Sequence, residues 1–169
     1  KRALDFASSL GEVAQQLGVT TRDLQVYRYA ASQVGVEQGE MDKALQKFTK
    51  SLGDARAGSK DAVATFRQLG FTDADIRRLD VHDALLKTAD GIAKITDRAG
   101  RATPEVRLFG RAGQQLDTLL SGGSARINEL AKAAQGLGIV LSDRQIQQAD
   151  DTADKLSELK KVLEARIAA

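Results

Sequence analysis

Hydrophobic residues recur every three or four positions along most of this chain, which is the spacing of one face of an α-helix. The first two stripes consist of Leu10, Val13, Ala14 and Leu17, and then of Leu24, Tyr27, Ala31 and Val34. Further stripes run over Met41 to Leu52, Ala62 to Leu69 and Ala84 to Ile95. No segment alternates apolar and polar residues with the β-branched and aromatic enrichment of a strand. The pattern predicts an all-α fold, a multi-helix bundle of short helices.

Three places carry the same signal for a helix end followed by a helix start. Leu-Gly-apolar-Thr occurs at residues 17–20 and 69–72, and a looser version ending in serine spans 137–142. Glycine closes a helix in the left-handed conformation, and the hydroxyl that follows accepts hydrogen bonds from the free amides of the next helix. We therefore expect capped corners at Gly18, Thr20, Asp23, Gly70, Thr72, Asp75 and Ser142. The two aspartates occupy the capping-box position.

Other residues predict further helix boundaries. Gly53 is expected to end the third helix, and Ser59 to cap the fourth. The only proline, Pro104, suits the first turn of a helix. Gly110 and Gly113 interrupt the apolar run from Arg107 to Leu116, where we expect one helix to stop and the next to begin.

From Ser142 onward the apolar residues form one long stripe, broken by Lys160. Its members are Ile146, Ala149, Ala153, Leu156, Leu163 and Ile167. This spacing predicts that the bundle ends in a long amphipathic helix able to pack against a partner. We expect one helical lobe at residues 1–96, with two of the corners, and another at 97–169, with one continuous domain as the alternative.

Composition adds few constraints. The charge is +2, from 25 Lys and Arg against 23 Asp and Glu, so no strong attraction to a polyanion is expected. The absence of cysteine excludes disulfides and cysteine-based metal sites. No apolar run approaches the roughly 20 residues of a membrane span, so no membrane contact is expected from this segment. The chain begins with Lys1 and its only methionine is Met41, which favours a segment of a longer or processed protein.

The first corner also matches a helix-turn-helix. Its second helix, Thr20 to Tyr29, would present Thr21, Arg22, Gln25 and Arg28 to DNA. Positive and negative side chains balance over residues 1–85, however, and two aspartates open the helix after the equivalent second corner. A DNA-binding module that uses the Thr20–Tyr29 helix is therefore the alternative hypothesis.

Some segments match catalytic or ligand-binding motifs only in part. Gly53 to Lys60 resembles a phosphate-binding loop, yet Ser59 precedes Lys60 in reversed order and no strand leads in. Gly136 to Leu141 lacks the third glycine of a dinucleotide fingerprint. No motif supplies a nucleophile for the only histidine, His82. We therefore predict that the chain is not an enzyme and has no catalytic, cofactor-binding, metal or small-molecule site.

Several blocks, taken in their order along the chain, resemble the tail tape measure proteins of bacteriophages with long tails. The resemblance spans roughly Leu10 to Leu163. Its most specific blocks are Leu17 to Thr20 with Leu24, Met41 to Leu52, Phe66 to Ile76, Ala84 to Leu86, Phe109 to Gly113, and Leu137 to Ile139 leading into Ser142.

This resemblance implies a mostly helical structural protein that lies inside the growing tail tube and sets tail length in proportion to its own length. It implies packing on itself, on the tail tube or on tail assembly proteins, and a location in the virion tail, or in the bacterial cytoplasm during assembly. No catalytic residue is carried over, because these blocks are structural in that family too.

Overall fold

The computed structural model describes the backbone of residues 2–167 and the side chains of residues 9–161. Over that range the chain forms eleven helices and no strand, which confirms the all-α prediction. The helices are α1 (Arg2–Leu17), α2 (Thr21–Gln33), α3 (Gln38–Arg56), α4 (Lys60–Gln68), α5 (Asp73–Arg78), α6 (Val81–Ala93), α7 (Arg98–Phe109), α8 (Ala112–Gln115), α9 (Asp117–Leu120), α10 (Gly123–Gly136) and α11 (Asp143–Ile167).

Helix α3 lies at the centre of the bundle. It contacts α1, α2 and each helix from α4 to α8. Its inward face is fully buried and consists of Met41, Ala44, Leu45, Phe48, Leu52 and Ala55. Two of those six side chains are alanines, and short side chains let neighbouring helices approach closely. The stripe that predicted a third helix is thus the surface on which α1, α2 and α4 to α8 pack.

Four of the five phenylalanines join α3 to its neighbours. The rings of Phe48 and Phe109 are stacked with centroids 5.2 Å apart, and Phe66 meets Phe48 edge-on at 6.0 Å. Phe71 lies against Phe66 at 5.0 Å. Aromatic pairs at these distances stabilise by roughly 0.5–1.5 kcal/mol beyond the area that they bury. This cluster ties α4 and α7 to the central helix.

The predicted corners have the geometry of capped helix ends. Gly18 and Gly70 adopt positive φ angles of 71° and 88°. The hydroxyl of Thr20 accepts the amide of Asp23 at 3.0 Å. Thr72 and Asp75 form a reciprocal capping box, in which each backbone amide donates to the side chain of the other. The hydrogen bond from the Thr72 amide is the main reason why the pKa of Asp75 lies below its usual value.

Two boundaries differ from the prediction. Helix α3 continues through Gly53 to Arg56, because its helical hydrogen bonds close on Gly58, whose φ is 89°. Pro104 lies in the middle of α7 and not in its first turn. The helix begins six residues earlier than a proline in the first position would imply, because the carboxylate of Asp97 caps it there. Pro104 removes the bond to the carbonyl of Gly100.

Residues on both sides of position 96 contribute to one hydrophobic cluster. It extends from Leu10 to Ile146 and includes Leu108, Phe109 and Leu116 from the second predicted lobe. Helix α10 also packs on α2 and α6. These contacts favour the alternative of one continuous domain, while the division at 96 stays a prediction. Within residues 2–167 no helix is both long enough and apolar enough to cross a membrane.

A close approach between α6 and the end of α4 predicts the effect of an added methyl group. Gly91 in α6 lies against the end of α4, so a Cβ at this position would be 2.4 Å from the carbonyl oxygen of Leu69. We expect Gly91→Ala to destabilise the protein by about 1–3 kcal/mol, because the backbones must separate. The measurement is urea unfolding.

The matched control is Gly53→Ala in α3, where nothing lies within 4 Å of the added atom. It should stabilise the protein by about 0.5–1 kcal/mol through helix propensity. Equal effects of the two substitutions would contradict this packing.

Candidate interaction surface

The first turn of the last helix is fixed to the body. Ser142 and Gln145 cap each other: the amide of Gln145 donates to the Ser142 hydroxyl, and the amide of Ser142 donates to the Gln145 side chain at 2.8 Å. Ile146 follows and is 5% exposed, within the core. The cap and this one apolar contact thus fix where α11 begins.

Helix α2 holds the segment that leads into α11. The side chain of Gln25 accepts the amide of Leu141 at 2.7 Å and donates to the Leu141 carbonyl at 3.0 Å. The hydroxyl of Thr21 donates to Asp143 at 2.7 Å. Thr21 lies four residues after the end of α1, and Asp143 begins α11. The packed pair α1 and α11 is therefore antiparallel.

The four residues of the predicted DNA-contacting face all bind other parts of the chain. Besides Thr21 and Gln25, Arg28 makes two hydrogen bonds to the carboxylate of Asp42, at 2.9 and 2.7 Å. Arg22 faces Gln135, whose side-chain oxygen accepts from the guanidinium when the amide is oriented toward it. This face of α2 is therefore bound to α3 through Arg28 and to the segments around α10 and α11 through the other three side chains.

Farther along α11 the apolar stripe becomes exposed. Ala149 and Ala153 are half-buried, and Ala153 lines a groove with Gly11 and Gln15 of α1. Leu156 is 54% exposed, and Leu159, which the predicted stripe did not include, is 65% exposed. The predicted members Leu163 and Ile167 lie outside the described side chains. We call Leu156 and Leu159 the open end of α11.

Of the two glycines in the 107–116 run, only Gly110 ends a helix, with a φ of 71°. Gly113 has a different role from the one expected. It is buried in α8, and a Cβ there would lie 2.3 Å from the carbonyl oxygen of Glu105. Gly113 allows the backbones of α7 and α8 to lie in close contact, because α8 turns back onto α7.

His82 and Asp23 belong to a polar cluster with Tyr27. The Tyr27 hydroxyl hydrogen-bonds Nδ1 of His82, and the same nitrogen lies 3.6 Å from the carboxylate of Asp23. Asp23 was expected to complete a capping box, but its carboxylate is oriented toward His82 instead. Burial, followed by the nearby charges of Asp23, Asp80 and Asp83, raises the pKa of Tyr27 well above its usual value.

A second polar cluster is buried between α7 and α9. Arg101 makes two bonds to the carboxylate of Asp117, at 2.6 and 3.1 Å, and it also donates to the carbonyls of Ile95 and Thr96. Glu105 lies beside them with a side chain that is only 1% exposed. Its carboxyl group hydrogen-bonds that of Asp117, while its Oε1 atom has no partner among the described residues.

The two carboxyl groups of this cluster differ in charge. Burial, followed by the hydrogen bond and charge of Asp117, raises the pKa of Glu105 to about 8. The hydrogen bond from Arg101 is the main reason why the pKa of Asp117 lies below its usual value. Near neutral pH the pair therefore holds one proton, on Glu105.

Among the described residues no group of three or more His, Cys, Asp or Glu converges as a metal site would require. Both clusters join helices that are distant in sequence. Sequence reasoning missed Glu105 and Tyr27 as members of polar clusters. Arg101 and Glu105 are four positions apart on one helix, and this spacing is the signal that could have paired them.

No family model, curated protein or solved structure matches this chain.

The attachment of α11 predicts the effect of losing Gln25. Gln25→Ala removes both bonds to the backbone of Leu141, so we expect a loss of about 1–3 kcal/mol in stability and faster amide hydrogen exchange in residues 139–149. Urea unfolding and exchange mass spectrometry measure the two effects.

The matched control for Gln25 is Gln33→Ala, at the exposed end of the same helix, which should change stability by less than about 0.5 kcal/mol. If Gln25→Ala behaves like this control, Gln25 does not hold the segment.

The raised pKa of Tyr27 predicts alkaline sensitivity. The folded protein keeps the phenol proton to a higher pH than the unfolded chain, which releases it near 10.0, so stability falls as pH rises above that value. In a titration followed by tyrosinate absorbance, one of the two tyrosines should ionise only as the protein unfolds. Tyr27→Phe should abolish this late phase, and the control Tyr29→Phe should retain it. A late phase that survives in Tyr27→Phe would refute the assignment.

Proposed function

We propose that this chain is a structural segment of a phage or prophage tail tape measure protein. In this role it helps to set tail length and packs inside the tail tube through helix–helix contacts with itself, the tube or tail assembly proteins. Its place is the virion tail, or the bacterial cytoplasm during assembly. No catalytic step is part of the proposal.

The observation that carries the proposal is the change in burial along α11. The stripe is part of the chain's own core at Ile146 and is open to solvent at Leu156 and Leu159. An apolar stripe that is uncovered at these two leucines suits packing against another helical surface. Such a surface requires no bound small molecule, only a complementary helix face.

The positions of the resembling blocks give further support. Gly18, Thr20 and the Phe66 to Ile76 junction form capped corners, and Met41 to Leu52 is the inward face of the central helix. Phe109 stacks on that face. The blocks that carry the resemblance are thus the corners and the core of this fold, as expected for blocks with a structural role.

The contacts of α2 do not favour the DNA-binding alternative. Among the described residues, Thr21, Gln25 and Arg28 each hydrogen-bond another part of the chain, and Gln135 lies against Arg22. A second helix of a helix-turn-helix needs such side chains free to reach bases and phosphates.

The test is an in-frame deletion of the 169 residues from the gene in its phage or prophage, followed by electron microscopy of the tails. Tails should shorten by up to roughly 250 Å, the length of a fully helical segment of this size at 1.5 Å per residue. Replacement by an unrelated helical segment of equal length is the control and should restore the length. Normal tails after the deletion would exclude a ruler role for this segment.

A further inference from the structure

The buried cluster of Arg101, Glu105 and Asp117 has features that a purely structural ion pair does not need. Arg101 and Asp117 already satisfy each other with two hydrogen bonds. Glu105 adds a second carboxyl group to the same buried place, with one oxygen atom left without a partner among the described residues. An unpaired buried oxygen destabilises a fold, and a second negative charge beside Asp117 would destabilise it more.

The charges around Glu105 come from few elements. Its own helix α7 supplies Arg101 and Arg98, and α9 supplies Asp117. Helix α8 has no titratable side chain. On the solvent side, Glu37 before α3 and Glu40 within it line a groove with Arg98. Both guanidinium groups face Asp117: Arg101 hydrogen-bonds its carboxylate, and the exposed Arg98 lies 4.0 Å from it. No guanidinium hydrogen-bonds Glu105 among the described residues.

The backbone around Glu105 leaves little room for rearrangement. Gly113 is pressed against the Glu105 carbonyl, and Arg101 fixes the carbonyls of Ile95 and Thr96 before α7. An ionised Glu105 could gain water only if the segments that cover it move apart. Those segments are α7, α8 and α9, which we call the 98–120 corner.

We propose that the Glu105–Asp117 carboxyl pair is a pH-sensitive lock on the 98–120 corner, closed while the pair shares one proton and opened when Glu105 releases that proton to solvent. The lock is a property of this fold and does not depend on the proposed function.

The direction of the effect follows from linkage. The pKa of Glu105 is raised from 4.5 to about 8 on folding, so the folded protein binds more protons than the unfolded chain between these values. Stability contributed by the lock is complete below about pH 4.5 and is lost as pH rises toward 8. The opened corner would expose Leu116 and Leu119, which are buried when it is closed.

The experiment follows the wild-type protein by carbon NMR of the Glu105 carboxyl and by amide exchange in residues 105–120, on the acidic and alkaline sides of pH 8. Glu105→Gln is the matched variant, because its side-chain amide can donate to Asp117 as the protonated acid does, without titrating. As pH rises from about 4.5 to about 8, the exchange in wild type should increase relative to that in Glu105→Gln by about tenfold per pH unit, and the ratio should level off above pH 8. The exposed Glu129→Gln is the control and should behave like wild type.

A second variant covers the case in which Glu105→Gln does not fold. Asp117→Asn removes the neighbouring negative charge and leaves Arg101 for Glu105, so the transition should move to lower pH. Titration of the wild-type Glu105 carboxyl near its ordinary value, or equal exchange in wild type and Glu105→Gln at alkaline pH, would overturn the proposal. An unmoved transition in Asp117→Asn would also overturn it.

Discussion

The arrangement of this bundle depends on the burial of one face of a single helix, α3. Helix α3 can contact α1, α2 and α4 to α8 because it places Phe48 between Phe66 and Phe109, with alanines at other inward positions. Large rings fill the space where three helices meet, and small side chains allow close approach elsewhere. A chain with few aromatic residues can in this way form a single core, because nearly all its phenylalanines are at one junction.

Local signals allowed much of the fold to be predicted from sequence. The corners at Gly18 and Thr20, and at Gly70 and Thr72, depend on residues within one turn of each other, so spacing alone is informative. Gly53 and Pro104 were assigned to the wrong places for the same reason. Glycine and proline can each lie either at a helix end or inside a helix. The packing of α3 keeps Gly53 inside that helix, and the cap at Asp97 places Pro104 inside α7.

The polar contacts were harder to predict, because they join residues far apart in sequence. Gln25 was singled out as a side chain that could contact DNA, and the structure instead pairs it with Leu141, 116 positions away. A glutamine that can recognise a base edge can equally bind a peptide backbone, and no local pattern separates the two uses. Glu105 was missed because its burial results from the turn of α8 onto α7, which requires Gly113.

The antiparallel packing of α1 on α11 has a mechanical consequence. The first residues of α1 and the last residues of α11 lie at the same end of the pair, so a force that separates Arg2 from Ile167 pulls the two helices apart in an unzipping direction. Contacts between α1 and α11 then break one after another rather than all at once. Because α1 also packs on α2 and α3 through Leu10, Ala14 and Leu17, the load reaches the core of the bundle before the separation arrives at the hydrogen bond between Thr21 and Asp143.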